Sequence, residues 1–325
     1  MESQLTVHRV VAGLEKQPPS DALSLAPKPV RRTLSLLTSH LVVAVVALVV
    51  IGGATRVMEA GLACPDWPLC YGTLLPGRQM NLQVFLEWFH RLDAFLVGVA
   101  LITLLAISLR WAACLPRWLP WLSGLALLLV AGQGALGALT VIQLLEAGTV
   151  TAHLGTALLL LLLLSCLHQL LITPSASPAP PLWWSWLCVL STALVLGQCV
   201  LGASMASQWA ADQCLQAGDG CRWLLAHRLG ARPAALSVLV LALASLRIGR
   251  PSSAIRSLSL TAALLVLGQV TLGIQTLRLQ LAVPAVTIAH QLLAGLLVAL
   301  LGALIGRCLH GLPPLRDTAL EASHG

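Results

Sequence analysis

The sequence predicts an all-α polytopic membrane protein with eight transmembrane helices in two repeated halves. Three observations carry this. Of 325 residues, 58% are hydrophobic and only 10% charged, with a mean hydropathy of +0.88. A soluble globule of this length carries roughly 25% charged residues, so lipid must be the solvent for most of the apolar surface. Eight apolar stretches of helix-spanning length follow one another along the chain. Finally, features of the first four recur in the last four.

The spans are expected at 34–57, 89–108, 119–142, 151–172, 182–205, 224–246, 258–277 and 285–307. An even number puts both termini on one side. Segments on the terminal side hold twelve Lys and Arg and the opposite side seven, so the positive-inside bias places both termini in the cytoplasm. The formal charge of +7 is then a topology signal and implies no nucleic-acid partner. Residues 1–32 are polar and hold Pro18, Pro19, Pro27 and Pro29. They lack the short apolar run of a secretory signal and are expected as an inner-face tail. Their acids Glu2, Glu15 and Asp21 argue against a mitochondrial presequence, which favours a bacterial inner membrane. The expected organisation is a four-helix unit at 33–173, a proline-rich inner linker at 174–181, a second four-helix unit at 182–310 and an inner tail at 311–325.

The repeat is seen first in glycines. Gly132-Gln133-Gly134-Ala135-Leu136-Gly137 resembles Gly268-Gln269-Val270-Thr271-Leu272-Gly273, and Gly197-Gln198-Cys199-Val200-Leu201-Gly202 is related. Such glycines let backbones approach each other or a flat ligand. Histidines make the repeat specific. His90 and His153 are 63 residues apart, and so are His227 and His290. Each opens an even-numbered span, so all four are expected at one depth near the outer face. Two helices of one bundle can present imidazoles to opposite faces of one haem iron. Zinc fits less well, because neither half offers cysteines or carboxylates to complete a tetrahedral set. His8, His40, His168, His310 and His324 have no repeated partner and are expected to be interfacial or hydrogen-bonded. Arg91 and Arg228 each follow a histidine, and Arg56 ends the first span. All three are placed to meet haem propionates, since arginine pairs well with carboxylates; the plainer alternative is snorkelling.

The halves differ at one acid. Glu87 stands one turn before His90, where the second half has Leu224. A carboxylate beside a haem ligand can move protons or stabilise positive charge on an oxidised substrate. The first half is then the reactive one. Cys64 and Cys70 lie in one outer loop and Cys214 and Cys221 in another, spacings that favour disulfides in an oxidising compartment. A redox role for Cys64 and Cys70 is an alternative to a plain staple. Cys114, Cys166, Cys188, Cys199 and Cys308 are expected as packing residues.

The stretches Gly52-Gly53-Ala54-Thr55-Arg56, Gly61-Leu62-Ala63-Cys64-Pro65-Asp66-Trp67-Pro68-Leu69-Cys70-Tyr71-Gly72 and Glu87-Trp88-Phe89-His90-Arg91 resemble the haem A synthase family. With His153, His227 and His290 the resemblance extends over about residues 33–310. It implies two pseudo-twofold-related four-helix bundles and oxidation of a methyl group of haem O to the formyl group of haem A, through a hydroxymethyl intermediate. It further implies that His90 and His153 flank substrate haem O, that His227 and His290 ligate a resident haem b, and that Glu87 is essential. Cys64 and Cys70 match the family's redox-sensitive pair. Implied partners are haem O, the haem O synthase that supplies it, cytochrome oxidase assembly factors, membrane lipid, an electron donor of unknown identity and a second copy of the chain. The long polar N-terminal tail and Asp93, one turn inside the His-Arg pair, depart from the family pattern. The rival readings are a di-haem b-type electron carrier, a thiol-disulfide exchange protein and a haem-binding chaperone or transporter. A carrier crossing the bilayer would place haems toward opposite faces, against the shared depth expected here.

Overall fold

A helix of about 20 apolar residues satisfies its own backbone in lipid, which is why the apolar stretches become long helices. The structure, a computed structural model, describes residues 26–174, 177–207, 221–248 and 253–310. Within them lie α1 (Lys28–Val57), α2 (Leu82–Arg110), α3 (Trp118–Ile142), α4 (Ala147–Ile172), α5 (Leu182–Ala206), α6 (Arg222–Ser245), α7 (Ser253–Arg278) and α8 (Pro284–His310). All eight are long and apolar enough to cross a membrane. The chain is a multi-pass membrane protein. A short 3-10 turn at Ala112–Cys114 joins α2 to α3.

Several helices start earlier than expected. Helix α1 starts at Lys28, so Arg31 and Arg32 lie on the helix rather than ending the tail before it. Helix α2 starts seven residues before the expected position 89. Polar Gln83 and Glu87 obscure its first turns in a hydropathy reading, but Asn81 caps them: its side-chain oxygen accepts from the Val84 N–H at 2.9 Å, satisfying a donor that the helix leaves open. Helix α4 starts four residues earlier than expected, at Ala147, where Glu146 caps the Thr149 N–H at 2.8 Å.

The principal neighbours follow a simple order. Within the first half α1 packs on α2, α2 on α3, α3 on α4, and α4 back on α1; α5 to α8 repeat that ring. Between halves α4 meets α8, α1 meets α8, and α4 meets α5. Exchanging the halves leaves these pairings unchanged. The α4–α8 crossing is close because α8 presents Gly302 and Gly306 to it. A Cβ at Gly302 would stand 2.6 Å from the Leu162 carbonyl oxygen, and one at Gly306 2.5 Å from that of Cys166. Two glycines four residues apart let membrane helices touch backbone to backbone. The Ser165 hydroxyl adds a 2.6 Å bond to the Ala299 carbonyl across the same crossing.

His40, His168 and His310 serve local structure. His40 pairs with the Leu36 carbonyl at 2.6 Å, His168 with the Thr38 hydroxyl at 3.0 Å, and His310 with the Thr173 carbonyl at 2.9 Å. Among the cysteines expected as packing residues, Cys166, Cys188 and Cys308 are buried and free. They are not isolated, since Cys188 on α5 and Cys308 on α8 are neighbours. The tail 311–325, His8, His324 and Cys214 lie outside the described residues.

Candidate haem site

Each of the four repeated histidines lies on an even-numbered helix, five to eight residues past its first residue. At ~1.5 Å per residue this sets all four roughly 8–12 Å below the helix starts. The ring centroids of His90 and His153 are 6.4 Å apart, with planes at 72°. His227 and His290 are close enough to interact electrostatically.

Each imidazole rests on a glycine of the preceding odd-numbered helix. A Cβ at Gly52 would lie 3.1 Å from Cε1 of His90, at Gly137 3.5 Å from that of His153, at Gly202 2.9 Å from that of His227, and at Gly273 3.0 Å from that of His290. The same atom of the ring meets the same kind of notch four times. Glutamines one turn before three of these glycines reach the same residues. Gln133 Nε2 donates to the His153 carbonyl at 2.9 Å, and Gln198 Nε2 to the His227 carbonyl at 2.9 Å. Gln198 also lies 2.9 Å from His227 Nδ1, and the Gln269 carbonyl lies 3.1 Å from His290 Nδ1. The glycines and glutamines of α3, α5 and α7 were visible as a repeated motif, whereas Gly52 was not part of it. Their direction, toward the histidines, was not visible.

These residues fit a haem iron. An imidazole nitrogen binds a first-row metal at ~2 Å, so two rings on opposite faces of one iron have centroids roughly 6 Å apart, close to the first pair's separation. The Nδ1 atoms of His90 and His153 are buried without a hydrogen-bond partner, so each ring has a buried polar nitrogen that a bound group at the site can engage. Among the described residues no cluster of three or more His, Cys, Asp or Glu is arranged around a single ion.

Glu87 is buried, at 4% exposure, and is held from two sides. One carboxylate oxygen accepts the Cys64 backbone N–H at 2.7 Å, and the other pairs with Arg91 at 2.5 Å. Arg91 also donates to the carbonyls of Asp66 at 2.6 Å and Leu69 at 2.5 Å. A disulfide joins Cys64 to Cys70 and closes the loop that supplies these groups. Asp66 organises the same loop by accepting from the N–H groups of Tyr71 and Gly72. The sequence reading treated Glu87 as a carboxylate near the membrane mouth and Arg91 as a propionate partner. The structure joins both in one network with the loop. Arg56 closes α1 as the basic residue of its last turn. Asp93, on α2, lines a cavity of about 180 Å³ together with His40, Leu41, Ala44 and Val97. Cys221 caps α6 and is disulfide-bonded.

Residues 34–302 match the family model described as cytochrome oxidase assembly protein, COX15-CtaA. That span is most of the chain. The chain belongs to this family. Several relatives bear the name Heme A synthase. The protein of Shewanella oneidensis is 32% identical over 190 residues, covering 51% of this chain and 55% of the relative. That of Bacillus pumilus is 34% identical over 133 residues, covering 39% and 40%. A protoheme IX farnesyltransferase of Haloarcula marismortui is 35% identical over 79 residues, covering 24% of this chain and 16% of the relative. The chain thus spans about half the length of the Heme A synthases it matches. Within the COX15-CtaA family match fall all four histidines, Glu87 and the Cys64–Cys70 loop.

Proposed function

We propose that the chain is a haem A synthase of the bacterial inner membrane, oxidising a methyl substituent of haem O to a formyl group through a hydroxymethyl intermediate. The observation that carries this reading is Glu87, a buried carboxylate one turn from His90 and tied to the disulfide loop. A haem carrier has no use for a buried acid at one of two repeated sites. A group that stabilises positive charge on a carbon being oxidised, or accepts its proton, needs that placement.

In this reading His90 and His153 hold substrate haem O, and His227 and His290 hold resident haem b. The resident haem, when bound, supplies one-electron redox chemistry. The protein residues do the rest. The glycine notches at Gly52, Gly137, Gly202 and Gly273 fix each ring from behind. Arg91 keeps Glu87 aimed, and its bonds to the Asp66 and Leu69 carbonyls fasten the loop over the same end of the bundle. Arg56, Arg91 and Arg228 are the residues this reading places at haem propionates. The two bundles are related by a pseudo-twofold, an idea supported by neighbour pairings that survive exchange of the halves. The histidine end faces outward and both termini are cytoplasmic. Cys64 and Cys70 stand where a change of thiol state reaches Glu87 through one backbone N–H. An external electron donor, the enzyme that farnesylates haem, cytochrome oxidase assembly factors and a second copy of the chain are the partners this reading calls for.

The test is purification from cells that make haem O, followed by pigment extraction and mass analysis. Haem A or its hydroxymethyl precursor is expected. Recovery of unmodified haem alone, with haem O and reductant supplied, would favour a carrier or chaperone.

A further inference from the structure

Where α1 of the first half crosses α8 of the second, one polar side chain bridges them. Gln291 of α8 donates from Nε2 to the Val49 carbonyl of α1 at 3.0 Å. A carbonyl only accepts, so the nitrogen end of the amide must face Val49. The rest of the carboxamide lies against the bare backbone of Gly53. A Cβ at Gly53 would collide with it, with Nε2 2.8 Å away. Residues four apart lie on one helix face, and Gly295, four residues past Gln291, keeps the crossing close. A Cβ there would lie 3.7 Å from Val49 Cγ1.

The neighbours of this contact are the candidate haem ligands. Gln291 follows His290 in the chain, and Gly53 follows Gly52, the glycine on which the His90 ring rests. Residues beside one ligand of each half therefore touch across the boundary between halves. The repeat does not copy this. Counted from the paired histidines and notch glycines, Gln291 corresponds to Leu154 and Gly53 to Ala203. Leu154 has no polar group to offer, and Ala203 carries the methyl that Gly53 lacks. At that second crossing, of α4 on α5, a Cβ at Gly155 would meet a Val200 methyl at 3.8 Å. Burying an amide costs free energy unless it is hydrogen-bonded, so the bonded glutamine singles out one of two equivalent crossings.

We propose that Gln291 is a positioning residue that couples the two haem sites, transmitting occupancy at His90 to His290 through Gly53 and Val49. The proposal rests on the haem reading above. Close-packed helices have little slack and pass strain to one another. A ring that shifts on Gly52 as it takes up iron displaces the adjoining peptide. The carboxamide that abuts this peptide carries the displacement to α8, one residue from His290. Coupling of this kind is reciprocal, so filling either site changes the affinity of the other by the same factor.

The test is a redox titration followed by absorbance, on full-length protein in detergent supplied with haem O. The parent, His90→Ala, Gln291→Leu and the double variant are compared. Leucine is the residue that the equivalent crossing already carries. The quantity read is the midpoint of the haem held by His227 and His290, with the first site filled or emptied by His90→Ala. The effect of emptying is expected to differ about tenfold between the Gln291 parent and Gln291→Leu, or about 59 mV for one electron. Direct interaction between the two irons is common to both and cancels in the cycle. A substitution with a merely structural effect shifts the midpoint equally whether the first site is filled or empty. Gly53→Ala disturbs the same contact from α1 and should give the same loss, so it serves as the test if Gln291→Leu does not fold. Haem content separates the two readings, since His90→Ala and His227→Ala are each expected to lose one haem. If both lose it but the effects of emptying agree within about twofold, the proposal is wrong while the haem reading stands. If neither variant loses haem, the haem reading falls and the proposal with it.

Discussion

Glu87 brings together at the scale of one residue what the chain does at large. A carboxylate at 4% exposure in a membrane helix is costly unless paired, and it is paired twice, by the Cys64 N–H and by Arg91. Replacing it with glutamine keeps the shape and removes the charge. Glu87→Gln is therefore expected to lower formation of oxidised haem by ~10²–10⁴-fold while haem content per protein is unchanged, measured by pigment extraction with mass analysis. A second residue gives a pH prediction. Glu146 sits outside the spans, and its carboxylate is held below its ordinary value of 4.5 by the N–H groups of Gly148 and then Thr149. A lowered folded value means the cap contributes fully above about 4.5 and loses its contribution as pH falls through that lower value. The difference in thermal midpoint between the parent protein and Glu146→Gln should close on acidification through that range. A difference that persists unchanged to lower pH would contradict the cap assignment.

At the scale of elements, the sequence is most readable where lipid dictates. All eight helices were foreseen, because an apolar run of span length has no other stable form in a bilayer. The start of α2 was not, since polar residues on its first two turns serve the site and break the hydropathy pattern. Asn81 and Glu87, read as a cap and a face, locate it better than hydropathy does. The α4–α8 crossing is another case. Gly302-x-x-x-Gly306 is a packing signal in the sequence, but nothing in the sequence says which helix it meets. Gly302→Val puts methyl groups against the Leu162 carbonyl, 2.6 Å from where its Cβ must stand. It should cost about 1–3 kcal/mol of stability, seen as a lower thermal midpoint in detergent, whereas Gly98→Ala, whose Cβ meets open space, should be near neutral.

For the whole molecule, the even helix count and the arginine distribution predict both termini in the cytoplasm. Gly77, in the loop between α1 and α2, and Ala179, between α4 and α5, are exposed positions on opposite sides under that topology. In intact cells Gly77→Cys is expected to react with a membrane-impermeant maleimide and Ala179→Cys only after permeabilisation; the opposite pattern would invert the topology.

The sequence by itself determined the membrane class, the helix count and the duplicated histidines, because composition and spacing are local quantities that lipid and helix geometry translate directly. It also marked Glu87 against Leu224 as a break between the halves. The tertiary structure decided where these side chains spend their bonds. Arg91 turned to Glu87 and the loop, the glycines turned to the histidine rings, and only the second pair of rings gained polar partners. Those outcomes depend on which helices touch and at what rotation, and packing between distant segments sets both.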